Sequence, residues 1–333
     1  MGIPNFKAMV VEETAQGDFD RCIKDRSVDS LPDGDVLVAV NYSSLNYKDA
    51  LSATGNKGVT RSYPHTPGID AAGTVAESRS PNFSAGDPVI VTSYDLGMNT
   101  SGGFGQYIRV PAEWVVPLPE SLSVYESMVY GTAGFTAGLS IFKMAADGIV
   151  PDKGPILVTG ASGGVGSLAV GILTQAGYQV TAVSGKAEGQ QFLEALGATE
   201  VITREDACDT SGRPLLKGRW AGVIDTVGGD ILATAIKSTL QDARVSCCGN
   251  VAGPKLNTTV FPFILRGVSL LGIDSQNCPM ALRRQIWQKL ANEWKLTALE
   301  RLTTEIPLDA LDHHIDLILK GEQKGRVVVN LEG

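Results

Sequence analysis

Glycine fills four of the seven positions from Gly160 to Gly166, in the stretch ILVTGASGGVGSLAV. An apolar run precedes these glycines, and a helical pattern that ends near Gly177 follows them. Glycine permits a positive φ and a close approach of the backbone to a ligand. The N-terminus of the following helix offers free N–H groups to a phosphate. This order predicts a pyrophosphate-binding turn, since an ordinary tight turn rarely needs so many glycines.

The residues at and just after the end of the next predicted strand, 179–185, indicate which dinucleotide binds. An NAD site usually carries Asp or Glu there, about 20 residues beyond the turn, to bind the ribose 2′-hydroxyl. This sequence has Ser184, Gly185 and Lys186 instead, and Arg204 follows the third strand. One hydroxyl and two cationic groups suit a 2′-phosphate, whereas surface Lys and Arg are ordinarily only solvated. We therefore expect NADPH rather than NADH.

Two patterns of secondary structure are predicted along the chain. Over the first 120 residues, short β-branched runs are separated by Gly, Pro and Asp, which is typical of an antiparallel barrel or sandwich. These runs lie at 7–13, 35–45, 71–77 and 87–93. The polar, glycine-rich loop at 95–107 is predicted to be mobile or to face a ligand.

From about residue 125, apolar strands alternate with helical patterns. This alternation predicts an α/β fold with a doubly wound parallel sheet covered on both faces. The six expected strands lie at 156–160, 179–185, 200–203, 221–229, 243–250 and 267–274. Amphipathic helical patterns follow at 279–299 and 307–321, and a final strand, GRVVVNL, is expected to return to the first domain.

The bulk composition is that of a globular protein with room for two cores. Of the 333 residues, 43% are hydrophobic and 19% are charged, and the formal net charge is −8. An acidic chain without clustered Lys and Arg is not expected to bind nucleic acid. We expect no membrane segment, because no apolar run reaches about 20 residues and no signal-peptide pattern is present. Five scattered cysteines indicate a reducing, cytoplasmic location.

Six stretches of the chain carry a family resemblance: SSLNYKDAL, PGIDAAGTV, VYGTAGFTAGLS, VTGASGGVGS, FPFILRGVSLLGIDS and KGRVVV. They resemble the zinc-free medium-chain dehydrogenase/reductases, and among them the YhdH/YhfP-type quinone oxidoreductases, a branch that includes acrylyl-CoA reductases. The resemblance implies a GroES-like β-barrel catalytic domain at 1–127 and a Rossmann NADP-binding domain at 128–272. It further implies a C-terminal segment, 273–333, that returns to the catalytic domain, and NADPH as the hydride donor.

The resemblance also assigns individual residues. Asn46 and Tyr47 match a pair near the nicotinamide. The residues that match the pyrophosphate turn are Ser162, Gly163, Gly164 and Val165. Those at the 2′-phosphate position are Ser184, Gly185, Lys186 and Arg204. Further positions that match the cofactor lining are Asn250, Ile264, Ser275 and Arg326.

The zinc enzymes of this superfamily need Cys and His ligands to polarise an alcohol. Here no cysteine stands in SLNYKDA, and Ile69-Asp70 replaces their His-Glu pair. We predict no metal, and therefore hydride delivery to an electron-poor double bond whose conjugated carbonyl accepts the charge.

Three side chains are candidates for this chemistry. Asn46 can donate from its amide, and the Tyr47 phenol either relays a proton or packs the nicotinamide. Thr132 either contacts the nicotinamide end or caps a helix. Asp70 is equally compatible with holding a loop and with a chemical role.

Three functions are compatible with the sequence. The first is NADPH-dependent reduction of an activated alkene such as acrylyl-CoA, for which Lys48, Lys57 and Arg61 are either a basic patch or ordinary solvated residues. The second is quinone reduction, and the third is a non-catalytic NADPH-binding sensor or structural protein. The strand at 267–274 is expected to present an edge that pairs with a second copy, which predicts a homodimer.

Overall fold

The computed structural model describes residues 5–185 and 187–332. Lys186, which is predicted to meet a 2′-phosphate, lies outside the described residues. The chain forms two compact units. Unit 1 comprises residues 1–132, 276–291 and 298–333, and unit 2 comprises residues 133–275 and 292–297. No helix within the described residues is both long and apolar enough to span a bilayer.

Each strand that the sequence pattern predicts has a counterpart in the structure, which also contains further strands and helices. The strands are β1 (Phe6–Glu13), β2 (Phe19–Arg26), β3 (Val36–Ser44), β4 (Asp70–Ser78), β5 (Pro88–Thr92), β6 (Tyr107–Val110), β7 (Val115–Pro117), β8 (Ile156–Val158), β9 (Val180–Val183), β10 (Glu200–Ile202), β11 (Trp220–Asp225), β12 (Thr239–Cys247), β13 (Ser269–Gly272), β14 (Thr303–Pro307) and β15 (Arg326–Asn330). The helices are α1 (Tyr47–Ala53), α2 (Val124–Ala146), α3 (Gly164–Gln175), α4 (Ala187–Ala195), α5 (Gly229–Lys237), α6 (Phe261–Arg266), α7 (Met280–Ala291) and α8 (Leu311–Leu319).

Strand β3 lies at the centre of the main sheet of unit 1. The strand order is β14-β15-β3-β4-β5-β7, and β6 also pairs with β3. Because side chains alternate across a strand, Val36, Val38 and Val40 all enter one core. The final strand β15 pairs antiparallel with β3, with Val328 opposite Ser44, so the chain end does return to the N-terminal sheet.

Unit 2 is built on one parallel sheet with the strand order β10-β9-β8-β11-β12-β13. This is the order 3-2-1-4-5-6 of a doubly wound dinucleotide fold. The central strands β8 and β11 are buried along their whole length, as expected for strands covered on both faces. The predicted α/β fold class is therefore confirmed.

Two sequence-based expectations are wrong in detail. The amphipathic pattern at 279–299 forms a helix only as far as Ala291, because the following residues belong to the other unit. There, Leu296 packs over Gly171, and the Gln175 amide donates to the carbonyls of residues 293 and 295. The apolar side chain of Leu296, which prolongs the helical pattern, thus packs within unit 2.

Only Asn99 is exposed in the glycine-rich loop at 95–107, whose composition predicted a mobile or ligand-facing segment. Its backbone N–H groups at Gly102 and Gly103 donate to the carbonyls of Thr66 and Gly68 at 2.8 Å. A Cβ atom at Gly103 would overlap the Asp70 carbonyl. The glycines therefore allow close backbone packing at the start of β4.

Candidate active site

The glycine turn of unit 2 joins β8 to α3. Gly160 has φ +57°, and a Cβ atom there would overlap the Thr226 hydroxyl. At Gly166 a Cβ atom would overlap the Gly160 carbonyl oxygen. Gly163, the residue before α3, has φ −82°, and a Cβ atom there would meet only that same oxygen, at 3.3 Å. The fold thus requires glycine at 160 and 166, whereas at 163 the space beside the helix N-terminus stays open to a ligand.

The Asp225 carboxylate at the end of β11 fixes the glycine turn through hydrogen bonds. The sequence analysis did not detect this role. The fully buried carboxylate accepts from the Thr159 hydroxyl at 2.7 Å and from the Gly228 N–H at 2.8 Å. The Thr159 oxygen in turn accepts from the Thr226 N–H at 3.0 Å. Burial raises the pKa of Asp225 above its ordinary value. The DTVGG motif after an apolar strand was the available signal.

Of the predicted 2′-phosphate residues, Ser184, Gly185 and Arg204 lie together at the end of β9. Ser184 is buried there, and Gly185 follows it. The Arg204 side chain lies directly over Gly185, since a Cβ atom on that glycine would sit 2.7 Å from the guanidinium Nε. Arg204 is exposed, and among the described residues no side-chain partner is found for it. An unpaired guanidinium over a bare backbone is a suitable anion contact.

The other predicted cofactor residues lie in different places. Asn250 is exposed in the loop after β12, and Ile264 on α6 is 67% exposed. Ser275 is half-buried at the end of unit 2. Arg326 belongs to unit 1 and is 2% exposed, within a hydrogen-bonded cluster rather than on a surface.

This cluster is centred on Asp70, and we call it the Asp70 cluster. Its members are Ser44, Asn46, Asp70, Thr132 and Arg326. The Asp70 carboxylate accepts from the Ser44 hydroxyl at 2.7 Å and from the Asn46 amide at 2.8 Å. It also accepts from the Thr132 hydroxyl at 2.6 Å and the Thr132 N–H at 2.9 Å.

Arg326 supplies the positive charge of the Asp70 cluster. Its Nη2 lies 3.9 Å from the Asp70 carboxylate and donates to the Ser44 hydroxyl at 2.8 Å. Its Nε donates to the Val129 carbonyl at 2.9 Å. A buried charge needs such compensation, and Asp70 and Arg326 provide it for each other.

A kink in α2 makes this arrangement possible. Gly131 interrupts the helix with φ +48°, and the Thr132 N–H beyond it donates to the Asp70 carboxylate. A Cβ atom at Gly131 would meet the Asp70 carboxylate and the Ser44 hydroxyl at 2.5 Å. Only glycine fits at this position.

The three candidate catalytic residues differ in their availability. The Asn46 amide donates to Asp70 and to the Ser44 carbonyl, and its oxygen accepts from Arg326 at 3.3 Å. The Thr132 hydroxyl donates to Asp70. Tyr47, the first residue of α1, is 38% exposed, and the hydrogen bonds of the described residues leave its phenol unpaired. Only Tyr47 therefore presents a free polar group in this arrangement.

The donor set around Asp70 does not fit a zinc ion. Zinc sites in proteins use Cys and His together with carboxylates. Here the position of the His-Glu pair carries Ile69 and Asp70, and the Arg326 guanidinium already neutralises the carboxylate. Within the described ranges, no group of three or more His, Cys, Asp or Glu side chains is arranged to hold a metal ion.

Comparison with known proteins gives the same architecture. Residues 32–120 match the family model of the alcohol dehydrogenase GroES-like domain, and residues 164–294 match that of zinc-binding dehydrogenases. The putative quinone oxidoreductase YhfP of Bacillus subtilis (strain 168) is 44% identical over 330 residues, which covers 98% of this chain and 99% of YhfP. A crystal structure of YhfP with NAD bound has a TM-score of 0.96 and covers 99% of this chain and 100% of that chain.

Two further relatives are similar over nearly the full length. The acrylyl-CoA reductase AcuI of Ruegeria pomeroyi is 43% identical over 327 residues, which covers 98% of this chain and 99% of AcuI. The crystal structure of the YhdH oxidoreductase from Salmonella enterica in complex with NADP is 41% identical, with a TM-score of 0.95, and covers 98% of this chain and 100% of that chain.

A GroES-like module and a Rossmann module in one chain define a medium-chain dehydrogenase/reductase. Within that class the chain belongs to the YhdH/YhfP-type family of quinone oxidoreductases and acrylyl-CoA reductases. The resemblance carried by the sequence motifs is therefore confirmed.

Proposed function

We propose that the protein is an NADPH-dependent, zinc-independent reductase that delivers hydride to the C=C bond of an activated alkene such as acrylyl-CoA. The Arg204 guanidinium lies over Gly185 and has no side-chain partner among the described residues, and this observation supports the choice of NADPH. The names of AcuI and of the NADP complex of YhdH support the same assignment. Because the YhfP structure contains NAD, the preference of this protein for NADPH over NADH has to be measured.

NADPH supplies the hydride from its nicotinamide when it is bound. The open N-terminus of α3 and its glycine turn bind the pyrophosphate through N–H groups. Ser184, Gly185 and Arg204 bind the 2′-phosphate, and Asn250, Ile264 and Ser275 are proposed to line the rest of the cofactor. Lys186 remains part of this proposal on sequence grounds.

We assign the Asp70 cluster and Tyr47 to the nicotinamide end of the cofactor, where the substrate reacts. The Tyr47 phenol donates a hydrogen bond to the carbonyl oxygen on which negative charge develops, or passes a proton to the substrate. Asn46 and Thr132 are held by hydrogen bonds to Asp70, and Asn46 also by Arg326. We therefore propose that Asn46 positions the start of α1 and that Thr132 positions the part of α2 that follows the kink. Their rigid dipoles require no reorganisation during the reaction.

Tyr47→Phe is expected to lower kcat by about 10²-fold, because it removes a phenol that has no hydrogen-bond partner among the described residues while keeping the ring. The KM for NADPH should change less than about 3-fold, because the phosphate-binding residues are untouched. Steady-state kinetics with acrylyl-CoA measures both constants. Tyr42→Phe is a matched control that removes a phenol on β3. An unchanged kcat in Tyr47→Phe would leave the ring with a packing role only.

Gly163→Val is expected to weaken NADPH binding by about 10-fold or more, since a branched side chain would fill the space that the pyrophosphate needs. The fold should tolerate the change, because the first added carbon meets only one backbone oxygen, at 3.3 Å. Isothermal calorimetry with NADPH measures the loss, and Gly163→Ala is the smaller control. Full binding by the valine variant would place the pyrophosphate elsewhere.

Two of the three residues of the predicted basic patch for a CoA substrate have side-chain partners. Lys48 donates to the Gln276 side chain at 2.6 Å, and Lys57 pairs with Glu13 at 2.7 Å. Arg61 is exposed and is the remaining candidate for a CoA phosphate. Quinone reduction is the second candidate function, on the name of YhfP.

A comparison of kcat/KM for acrylyl-CoA and for soluble quinones separates these two functions. The proposal expects the higher value with acrylyl-CoA. A higher value with quinones would favour the second function. Tight NADPH binding with no turnover of any enoyl-CoA, enone or quinone would favour a non-catalytic sensor.

We also propose a homodimer in a reducing cytoplasm. Strand β13 is an edge of the unit 2 sheet, and large apolar side chains on and beside α6 and β13 are exposed. They are Val260, Phe261, Ile264, Leu265 and Leu270. An unpaired edge beside an apolar surface is suited to a second copy. Sedimentation equilibrium should give twice the chain mass, and a monomer at all concentrations would contradict the dimer.

A further inference from the structure

A second buried carboxylate, Asp49, supports the start of α1. It is fully buried at the third position of the helix. One of its oxygens accepts from the backbone N–H of Asn46 at 2.8 Å. The other oxygen accepts from the N–H of Ile69, also at 2.8 Å. Asp49 therefore ties the helix that carries Tyr47 to the residue that precedes Asp70.

The Asn46 side chain lies between two buried acids. Its amide nitrogen is 2.8 Å from the Asp70 carboxylate and 3.3 Å from the Asp49 carboxylate. Arg326 donates to the amide oxygen at 3.3 Å. Both ends of this amide are thus fixed by charged groups, which leaves it a single orientation.

The charges facing Asp49 come from the neighbouring strands. Asp70 on β4 repels it, and Arg326 on β15 attracts it. Helix α8, which packs on α1, carries four ionisable side chains. His313 contacts only the ring of His314 among the described residues, and the other three have polar partners. Asp312 and Asp316 pair with Arg21, and His314 contacts Gln323 at 2.9 Å.

We propose that Asp49 is a positioning residue whose ionised carboxylate, together with Asp70, fixes the Asn46 amide and the start of α1, and thereby places Tyr47 for the reaction. This inference rests on the proposed reductase function. Both oxygens of Asp49 accept from N–H donors, and the ionised form accepts more strongly than the neutral one. In a protonated carboxyl group the oxygen that carries the proton is the weaker acceptor.

Burial, and secondarily the charge of Asp70, raise the pKa of Asp49 to about 7. The two forms therefore exchange near neutral pH. With acrylyl-CoA, kcat of the natural protein should fall as the pH drops through about 7, because the protonated form loosens Asn46 and Tyr47.

Asp49→Asn tests the positioning role. Its kcat above pH 7 should be about 10-fold lower, and the fall near pH 7 should disappear. The KM for NADPH should stay within about 2-fold, because the phosphate-binding residues are in unit 2. Glu126→Gln is the matched control, since Glu126 accepts the Ser123 N–H in the same way at the start of α2. This control should keep both kcat and the pH profile.

A stability measurement tests the titration without turnover. The native pKa of Asp49 lies above its value in the unfolded chain, so its proton stabilises the folded state at low pH. This contribution is lost as the pH rises through about 7. The urea midpoint of the natural protein should therefore fall, relative to that of Asp49→Asn, between about pH 5 and about pH 8.

Each outcome bears on one proposal. If the natural protein reduces no substrate, the reductase function fails. Separately, if the urea midpoints of the natural protein and of Asp49→Asn change in parallel across this pH range, the role of Asp49 is overturned. If the protein is active and Asp49→Asn keeps its kcat and pH profile, only the inference is overturned. Should Asp49→Asn not fold, Asp49→Glu replaces it, with a lower kcat and a retained pH dependence expected. An unchanged kcat in Asp49→Glu would then contradict the inference.

Discussion

Asp70→Ala is expected to lower the free energy of unfolding by about 3–5 kcal/mol and to reduce turnover below detection. The substitution leaves the Arg326 guanidinium, only 2% exposed, without its carboxylate. It also removes the acceptor of Ser44, Asn46 and Thr132, and unpaired buried donors each add a further cost. Denaturant unfolding followed by tryptophan fluorescence measures the free energy.

An exposed ion pair provides the control for this prediction. Asp33 pairs with Arg79, and both side chains lie largely in solvent. Asp33→Ala should leave the unfolding midpoint where it is, because exposed pairs are screened by water. If Asp70→Ala were equally harmless, Arg326 would not depend on Asp70, and the Asp70 cluster would not organise the site. Asp70→Asn, which retains the shape but loses the charge, should fall between the two.

Arg204→Glu is expected to lower kcat/KM for NADPH by about 10²-fold while leaving that for NADH within about 2-fold. The guanidinium over Gly185 is lost, and a carboxylate there would repel the 2′-phosphate. NADH has no phosphate at that position, so its binding should not respond. Initial rates with both cofactors and one saturating enoyl thioester give the ratio directly.

Arg213→Glu makes the same change of charge at another exposed arginine of unit 2. It should leave the ratio of NADPH to NADH use unaltered, which separates a local contact from the net charge of the protein. Equal losses with both cofactors in Arg204→Glu would mean that Arg204 does not meet the 2′-phosphate. The preference would then have to come from Ser184 or Lys186.

The glycine turn was predictable because its sequence signal is local. Gly160, Gly163 and Gly166 lie within one strand–turn–helix segment, and their spacing in that context indicates a phosphate site. The alternation of strands and helices in unit 2 is equally local, so the fold class could be predicted. The end of α7 could not be predicted from the local sequence pattern. Leu296, which prolongs that pattern, packs against Gly171 in unit 2, whereas α7 belongs to unit 1.

The role of Asp70 could not be predicted, because its partners are distant in sequence. Ser44 is 26 residues away and Thr132 is 62 residues away, while Arg326 is 280 residues from Asn46. No periodicity links such positions. The sequence therefore suggested Asn46 as a free donor, whereas the hydrogen bonds show that its amide is used within the protein. Asp49 escaped notice for the same reason.

The most direct test of the central claim is to follow the hydride itself. Protein treated with a chelator is mixed with acrylyl-CoA and with NADPH that carries deuterium at both positions of nicotinamide C4, and the thioester product is analysed by mass spectrometry. We expect propionyl-CoA with one deuterium on the β-carbon and one solvent hydrogen on the α-carbon, at the rate that untreated protein gives with the same labelled NADPH. An unlabelled thioester, or activity that disappears with the chelator and returns with zinc, would contradict the account.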